Sequence, residues 1–483
     1  MNKLLRYILF VSVSVLMFAC EDLETFSTDS RLLLSFSADT VSFDTVITTV
    51  PSSTKRVWIF NNNKEGLRIL SARLATGEAS SFRINVDGRT GPEVTDLEVL
   101  KEDSIMMLVE VTLRETRVDD SVLMRDSVLF TLESGTVQKL ILEAYGQDAI
   151  IMRAPECLDG EVMTFSSGKP YIIYDSLVVH NGGTLNIEAG ATLMFHSGAS
   201  LLVYGQLNIN GTEGNMAVLR GDRTDKIFPY LPYDRIDAQW GGIRLFASSV
   251  GNTIRFADIH GGNYGVVCDS SGVDADKLLL ENSIITNVCG YGLFAEDCKV
   301  NVRNSIISNA RMDCVNVTGG EYDFIHCTIA QFYALGATSE GNALRVSNVK
   351  GLDYHALSFR MDNSIVTGFA TDEIFASRFD GNNELTKDEA LFDLLFRNCL
   401  VTTDTKGAEQ YFVDCIVDDV TSELNRRKHF KCVDTHDFVF DYHLDSLSSA
   451  CGKASSAYLS SLPKDMYGSE RVYGNVDIGA LQR

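Results

Sequence analysis

A nine-residue segment recurs at an interval of 22 residues in the middle of this chain and strongly limits what it can fold into. Residues 279–287 read LLENSIITN, residues 301–309 read NVRNSIISN, and a weaker copy, DFIHCTI, occupies 323–329. Each copy is a short β-branched run bounded by Asn and Gly, a pattern typical of strands joined by tight turns. A unit this short cannot bury its own apolar face, so neighbouring units must stack. The repeat therefore predicts a solenoid of β coils.

When the copies are aligned, one position forms a column of polar residues, and the next position forms a column of small side chains. The aligned polar residues are Asn282, Asn304, His326, Asn363 and Asn398. An inward Asn can bond its own turn and the Asn of the next coil, so we predict a structural ladder. The residues that follow are Ser283, Ser305, Cys327, Ser364 and Cys399. This column predicts that its cysteines fill space in the core, while disulfides among a minority of the other cysteines stay possible.

The spacing of the polar column widens after the third copy. It is 37 residues between His326 and Asn363, and 35 between Asn363 and Asn398. We therefore predict that residues 333–352 and 371–392 project from the stack as loops.

Residues 28–148 have a different texture, with short alternating apolar segments separated by turn residues. Such spacing predicts an antiparallel β-sandwich. The strand at 56–61 (RVWIFN), the segment around Phe82 and the closing strand at 140–146 (LILEAYG) resemble immunoglobulin-like domains of the major-sperm-protein and cilia-associated type. That resemblance implies a fold and no chemistry.

From residue 158 onward, runs of three to five apolar residues alternate with Gly turns. Residues 183–195, 198–212, 239–245 and 252–259, together with the terminal residues 441–481, resemble right-handed parallel β-helix proteins exported by bacteria, of the pectate-lyase-like fold. The resemblance covers about 160–483. The predicted fold class is therefore all-β, with a right-handed parallel β-helix at 158–483 preceded by an immunoglobulin-like sandwich at 28–148. Since β-helices include lyases, hydrolases and adhesins, the fold implies no single activity.

The N-terminus predicts an export signal. Lys3 and Arg6 precede a short apolar run at 7–18, which is too short for a permanent membrane span, so residues 1–19 are predicted to be cleaved. Ala19-Cys20 resembles a bacterial lipobox, and that resemblance implies that Cys20 is lipidated and anchors the protein in a membrane. The acidic linker that follows, within 20–27, resembles the surface-export signal of Bacteroidetes lipoproteins, which implies an outward-facing outer-membrane protein.

The charge balance limits the partners. With 42 basic and 65 acidic side chains the net charge is −23, which argues against nucleic acid, anionic lipid surfaces and strongly anionic substrates. The sequence indicates no cofactor, and it leaves the oligomeric state open.

The hypothesis that the protein is an enzyme depends on four residues. Asp258 and His260 alternate on one predicted strand and so share a face, and Arg311 and Asp313 lie on a following coil. An acid, an imidazole and an Arg in one groove suit a polysaccharide lyase or glycoside hydrolase. The alternative is a solvated polar face of an acidic protein.

A binding reading depends on the aromatic residues of the insertion at 220–240. Tyr230, Tyr233 and Trp240 lie among charged residues, and exposed aromatics in such surroundings suit stacking on sugar rings. The alternative is a plug in which these rings cover the apolar flank of the first coils.

A metal site is not predicted. His429, Cys432, His436 and His443 are close in sequence, but the first pair lacks a matching second pair.

Taken together, these features of the sequence favour a lipid-anchored, non-catalytic glycan-binding or adhesive module, with an enzyme or a purely structural surface protein as alternatives.

Overall fold

The computed structural model describes residues 25–336, 339–379, 391–418 and 426–483. The chain forms two compact units, Met1–Asp148 and Ala149–Arg483. The predicted signal peptide at 1–19, Cys20 and the acidic residues at 21–24 lie outside the described residues. Within the described ranges, no helix has the length and apolar character needed to cross a membrane.

The first unit is a β-sandwich. One sheet contains, in spatial order, β1 (Ser35–Phe36), β3 (Lys55–Asn61), β8 (Asp103–Val111), β5 (Phe82–Val86) and β6 (Arg89–Gly91). The other contains β2 (Thr40–Ile47), β10 (Val137–Gln147), β9 (Val122–Leu132), β4 (Leu67–Leu74) and β7 (Glu93–Val99). Neighbours pair antiparallel except β2 with β10, which are parallel. The predicted sandwich is confirmed, and its immunoglobulin-like character stays a prediction.

The second unit is a parallel β-helix built on three long sheets. Sheet I contains β12 (Glu156–Cys157), β15 (Leu177–Val179), β18 (Leu201–Val203), β23 (Ile243–Leu245), β26 (Val266–Cys268), β29 (Leu293–Glu296), β32 (Val315–Thr318), β35 (Leu344–Ser347) and β40 (Ile374–Ser377). Sheet II contains β13 (Val162–Phe165), β16 (Thr184–Glu188), β19 (Gln206–Asn210), β24 (Asn252–Arg255), β27 (Gly272–Glu281), β30 (Cys298–Arg303), β33 (Gly320–Ile325), β38 (Leu357–Asp362), β41 (Phe392–Arg397) and β43 (Phe412–Val413). Sheet III contains β11 (Ile150–Arg153), β14 (Tyr171–Tyr174), β17 (Thr192–Phe195), β20 (Ala217–Gly221), β25 (Ala257–His260), β28 (Ile284–Val288), β31 (Ile306–Ala310), β34 (Thr328–Gln331), β39 (Ile365–Gly368), β42 (Leu400–Val401) and β44 (Ile416–Val417).

Short elements lie outside the three long sheets. Three antiparallel hairpins are β21 (Lys226–Phe228) with β22 (Leu231–Pro232), β36 (Val349–Lys350) with β37 (Asp353–Tyr354), and β45 (Phe430–Asp434) with β46 (Val439–Leu444). Single 3-10 turns of this unit lie at Tyr233–Arg235, Glu409–Tyr411 and Ser456–Tyr458, and one of the first unit lies at Gly77–Ala79. The predicted all-β fold class is thus confirmed, although the β-helix begins at Ile150, before the predicted boundary at 158.

The polar column lies at the turn between sheets II and III. Its five residues all have left-handed backbone, with φ between 48° and 54°. Asn tolerates this conformation better than most residues, which explains its recurrence. Asn304 Nδ2 donates to Asn282 Oδ1 at 3.0 Å, and Asn363 Nδ2 donates to His326 Nε2 at 3.0 Å. The predicted ladder is confirmed for these two pairs.

The small column is part of the core. Cys327 and Cys399 are fully buried, and the backbone N–H of Cys327 donates to Ser364 Oγ at 2.8 Å. All cysteines that the structure describes are free thiols. The prediction that these two cysteines fill space in the core is confirmed.

The predicted loops are wrong in part. Within 333–352, Leu344–Ser347 pairs in register with Val315–Thr318, and within 371–392, Ile374–Ser377 pairs in register with Leu344–Ser347. Both segments are therefore strands of sheet I. The repeated segment forms the strands of sheets II and III, whereas the sheet I strand lies a variable number of residues from the polar column. Residues 380–390 of the second predicted loop lie outside the described residues.

The C-terminal segment covers one side of sheet III. Its apolar residues, including Phe430, Tyr442, Ile478 and Leu481, form one buried cluster with Ile306, Phe332, Ile365 and Leu400 of the coils. Arg471 donates to the carbonyl oxygens of Lys464 (2.6 Å) and Ala480 (3.1 Å). The segment also joins the polar column, because the carbonyl of Lys464 accepts a hydrogen bond from Asn304 at 2.8 Å. Arg471 therefore fixes the segment internally, while Asn304 and the apolar cluster hold it on the stack.

Candidate functional site

Asp258 and His260 share a face of β25, as predicted, and form an ion network with the 220–240 insertion. His260 donates from Nδ1 to Asp258 Oδ1 at 2.8 Å and from Nε2 to Asp234 Oδ1 at 2.9 Å. Arg220 Nη1 lies 2.6 Å from the same oxygen of Asp234. The network alternates cation and carboxylate, so each charge has a partner of opposite sign.

The imidazole of His260 is held in its charged form. Burial by itself lowers the pKa of His260, but the charges and hydrogen bonds of Asp258 and Asp234 outweigh it and raise the pKa to about 9. The pKa of Asp234 is lowered, because its bond to His260 and the nearby cations outweigh its burial. With both ring nitrogens donating at neutral pH, His260 cannot act as a general base there.

Arg311 and Asp313 do not complete this network. Arg311 Nη2 is 2.5 Å from Glu340 Oε1, and Asp313 is buried. Asp313 accepts hydrogen bonds from Asn316 Nδ2 (2.8 Å), Arg345 Nε (2.9 Å) and the backbone N–H of Asn342 (2.9 Å). The structure thus joins Asp258 with His260, whereas Arg311 and Asp313 bond other partners. The alternative of one catalytic group made of these four residues stays a prediction.

The three predicted aromatic ligand residues do not form one platform. Trp240 is fully buried, stacks on Phe195 with ring centroids 4.4 Å apart, and donates Nε1–H to the carbonyl of His260 at 2.8 Å. The prediction that Trp240 is an exposed ligand-binding residue is wrong, because its ring belongs to the apolar core of the coils. Tyr233 is half-buried beneath the Arg223 guanidinium, 3.9 Å from its ring centroid. Tyr230 stays exposed.

An aromatic groove lies instead on the outer face of sheet I, where sequence reasoning placed no ligand site. Tyr264, Tyr291 and Phe294 form a row, with successive ring centroids 6.4 and 5.1 Å apart and interplanar angles of 26° and 29°. They line an open groove of about 420 Å³ together with Arg244 and Glu296. We call this surface the sheet I groove.

The register of sheet I builds the groove. Arg244 pairs with Val267 and Val267 with Phe294, so these outward residues lie above one another along the stack. Tyr291 sits in the turn before β29, next to Gly292. A Cβ on Gly292 would come within 2.5 Å of the carbonyl oxygen of Cys314, so close approach of the coils requires glycine there.

Charged pairs flank the rings. Arg244 Nη2 is 3.1 Å from Asp269 Oδ1, and Lys350 Nζ is 2.8 Å from Glu296 Oε2. Nearly parallel aromatic faces beside paired charges can stack on a sugar ring and hydrogen-bond its hydroxyls. The missed sequence signal is the recurrence of Tyr-Gly-Val at 264–266 as Tyr-Gly-Leu at 291–293.

The histidines near the C-terminus have separate partners. His429 bonds Ser448 Oγ and Asp418, His436 bonds Asp437, and His443 bonds Asp441. Among the residues that the structure describes, no group of three His, Cys, Asp or Glu side chains is placed to hold a metal ion.

No protein-family model matches the sequence, and no curated protein matches it. Among solved structures, the chain is similar to pectate lyase Pel9A at 11% identity and a TM-score of 0.36, over 70% of this chain and 88% of that one. It is similar to a GH87 alpha-1,3-glucanase catalytic unit from Streptomyces thermodiastaticus at 12% identity and a TM-score of 0.22, over 71% of this chain and 70% of that one. A family 123 glycoside hydrolase from Clostridium perfringens matches at 7% identity and a TM-score of 0.19, over 28% of this chain and only 30% of that enzyme. Similarity this low carries no argument about activity, so function must be derived from the chain's own residues.

Proposed function

We propose that this chain is a glycan-binding protein whose sheet I groove holds a neutral polysaccharide. The observation that carries the proposal is the row of Tyr264, Tyr291 and Phe294, whose nearly parallel rings line one open groove. Sugar rings present apolar C–H faces that pack on aromatic rings, while their hydroxyls bond to charged side chains at the edge.

The charges in the groove favour an uncharged ligand. Arg244 and Lys350 are each paired with a carboxylate, so they leave no excess positive charge for an acidic polysaccharide. The net charge of −23 also repels polyanions. A neutral glucan, mannan or xylan meets neither obstacle.

The ion pairs of the nearby acidic groups support binding rather than cleavage. Near the groove, Asp269 and Glu296 pair with cations, and outside it the predicted catalytic imidazole of His260 bonds two carboxylates. Glycoside hydrolysis needs two carboxyl groups that are free to act on the two sides of the scissile bond. The arrangement supports a binder better than an enzyme.

The groove can be tested by electrophoresis of the whole protein through gels that contain one neutral polysaccharide each. We expect retardation in at least one gel, and a Kd about tenfold higher for Tyr291→Ala and for Phe294→Ala, since each loses about 1.4 kcal/mol of ring contact. Tyr473→Ala is the matched control, because Tyr473 is 84% exposed and belongs to the C-terminal segment.

Two results would contradict the proposal. If the Tyr291→Ala, Phe294→Ala double variant is retarded as strongly as the unchanged protein, the rings do not bind the ligand. If the unchanged protein releases new reducing ends from any of these polysaccharides, the protein is a depolymerase.

We further propose that the glycan-binding chain is anchored to the outer membrane and faces outward. The support is the sequence pattern of a short apolar run ending in Ala19-Cys20 followed by acidic residues. Metabolic labelling with a radioactive fatty acid should label the unchanged protein and should fail to label Cys20→Ala. Surface exposure is tested separately, by digestion of intact cells with a protease.

A further inference from the structure

A second pocket lies on sheet III, away from the sheet I groove. Two Asp-x-His segments from distant parts of the chain, Asp258 to His260 on β25 and Asp441 to His443 on β46, line it together. Its volume of about 500 Å³ is within the range of small-molecule sites. Elsewhere the C-terminal segment packs directly on sheet III with apolar residues, so the gap at this place is a distinct feature of the packing.

The two segments share one contact, between the histidine Nδ1 and the aspartate Oδ1. His443 Nδ1 is 2.5 Å from Asp441 Oδ1, just as His260 Nδ1 is 2.8 Å from Asp258 Oδ1. Each carboxylate therefore bonds its own histidine through Oδ1, which leaves Oδ2 for a ligand hydroxyl.

A polar floor and an aromatic side complete the pocket. On the strands below, Thr286 Oγ1 and Ser308 Oγ are 3.0 Å apart and both line the cavity. Tyr467 is 47% exposed and stacks on His443, with ring centroids 5.5 Å apart. Burial raises the pKa of Tyr467, and the carboxylates of Asp258 and Asp441 raise it further, which agrees with their position around one cavity.

Hydrogen bonds tie the walls of the pocket to one another. Tyr442 OH donates to Asn309 Oδ1 at 3.1 Å, which ties β46 to sheet III, and Arg235 Nη1 donates to the carbonyl of Asp437 at 2.8 Å, which ties the hairpin to the insertion. Phe438, on the rim, has φ of 53°, a strained conformation for an aromatic residue. Such strain is most often retained at functional sites.

From this arrangement we propose that the sheet III pocket binds a single neutral sugar residue, with Asp258 and Asp441 accepting bonds from its hydroxyls and Tyr467 covering one face of its ring. A cationic ligand fits less well, because both carboxylates already face an imidazole. An anionic ligand would meet the same two carboxylates at close range. A neutral polyol uses both carboxylates as acceptors without adding charge.

The test is titration of the whole protein with D-glucose, D-galactose, D-mannose and N-acetyl-D-glucosamine, followed by saturation-transfer NMR. We expect at least one of these sugars to bind, and Asp441→Asn and Tyr467→Ala each to raise its Kd at least about tenfold. Tyr473→Ala and the groove variant Phe294→Ala should leave this Kd unchanged. Each variant is also made in a Trp58→Phe background, where the fluorescence of Trp240, which bonds the carbonyl of His260, checks that the β-helix is folded.

Three outcomes would overturn the proposal: no transfer to any of the four sugars, unchanged affinity in folded Asp441→Asn and Tyr467→Ala, or loss of binding in Phe294→Ala. The last outcome would assign the sugar to the sheet I groove. Conversely, retardation in polysaccharide gels that depends on Phe294 would support the groove even where the pocket binds nothing, so the two proposals fail separately.

Discussion

The charged state of His260 can be measured through the stability of the β-helix. The pKa of His260 lies at about 9 in the folded chain, against an ordinary value of 6.5. Each factor of ten in proton affinity corresponds to about 1.4 kcal/mol, so the ion network contributes up to about 3 kcal/mol to the free energy of unfolding. Because the folded-state pKa is the higher one, this contribution is complete below about pH 6.5. It declines as the pH rises and is lost above about pH 9.

The assay is urea denaturation followed by tryptophan fluorescence. The sequence contains two tryptophans, Trp58 in the sandwich and Trp240 in the β-helix. In a Trp58→Phe background, the signal comes from Trp240, whose indole bonds the carbonyl of His260. The free energy of unfolding is compared between this background and the same protein with His260→Gln, at several pH values from about 6 to about 9.5.

We expect the difference between the two proteins to be largest at pH 6 and to shrink by about 2–3 kcal/mol by pH 9.5. Groups that titrate in both proteins cancel in this difference. Parallel curves over the whole range would refute the reasoning, because they would mean that His260 carries the same charge in the folded and unfolded chain. Asp234→Asn should give an intermediate slope, since one of the two carboxylates remains.

Two further predictions concern the columns of the β-helix. Asn363→Ala should lower the free energy of unfolding by about 2–4 kcal/mol, because it removes the hydrogen bonds to His326 and Ser455. It also places an alanine, which has no polar side-chain atom, in left-handed backbone. Asn363→Gly removes the same bonds but relieves the backbone, so it should recover part of the lost stability. Cys327→Ser should change the free energy of unfolding by less than about 1 kcal/mol, since Ser364 occupies the same position in the next coil. If unfolding followed by Trp240 fluorescence shows a loss above about 2 kcal/mol, the thiol packs in a way that a hydroxyl cannot replace.

The repeating features of the β-helix could be predicted because their causes are local. Asn282 and Asn304 recur since a tight turn between two strands needs left-handed backbone, and that requirement involves only the residues of the turn. The burial of Cys327 followed from its alignment with serines at the same position. The strand at Leu344–Ser347 escaped prediction because its distance from the turn varies with the insertions around it.

The neighbours of the candidate site residues could not be predicted, for a different reason. Residue type indicated that Trp240 could stack on a sugar, but whether an indole faces water depends on what covers it, and here Phe195 does. Asp313 could have served as an acid, but Arg345 and Asn316 lie close enough to bind it. Phe195 and Arg345 come from other coils, so the sequence around Trp240 and Asp313 does not reveal them.

The amino-acid sequence by itself determined the all-β class, the stacked coils, the polar and small columns and the acidic character of the protein, because periodicity, turn conformation and charge are properties of short segments or of composition. Only the tertiary structure decided which side chains meet. Tyr264 and Tyr291, 27 residues apart, share a groove because the register of sheet I places them on successive coils, and Asp258 and Asp441, 183 residues apart, share a pocket because the C-terminal segment returns along sheet III. Such contacts depend on the path of the whole chain, and no short segment of the sequence predicts that path.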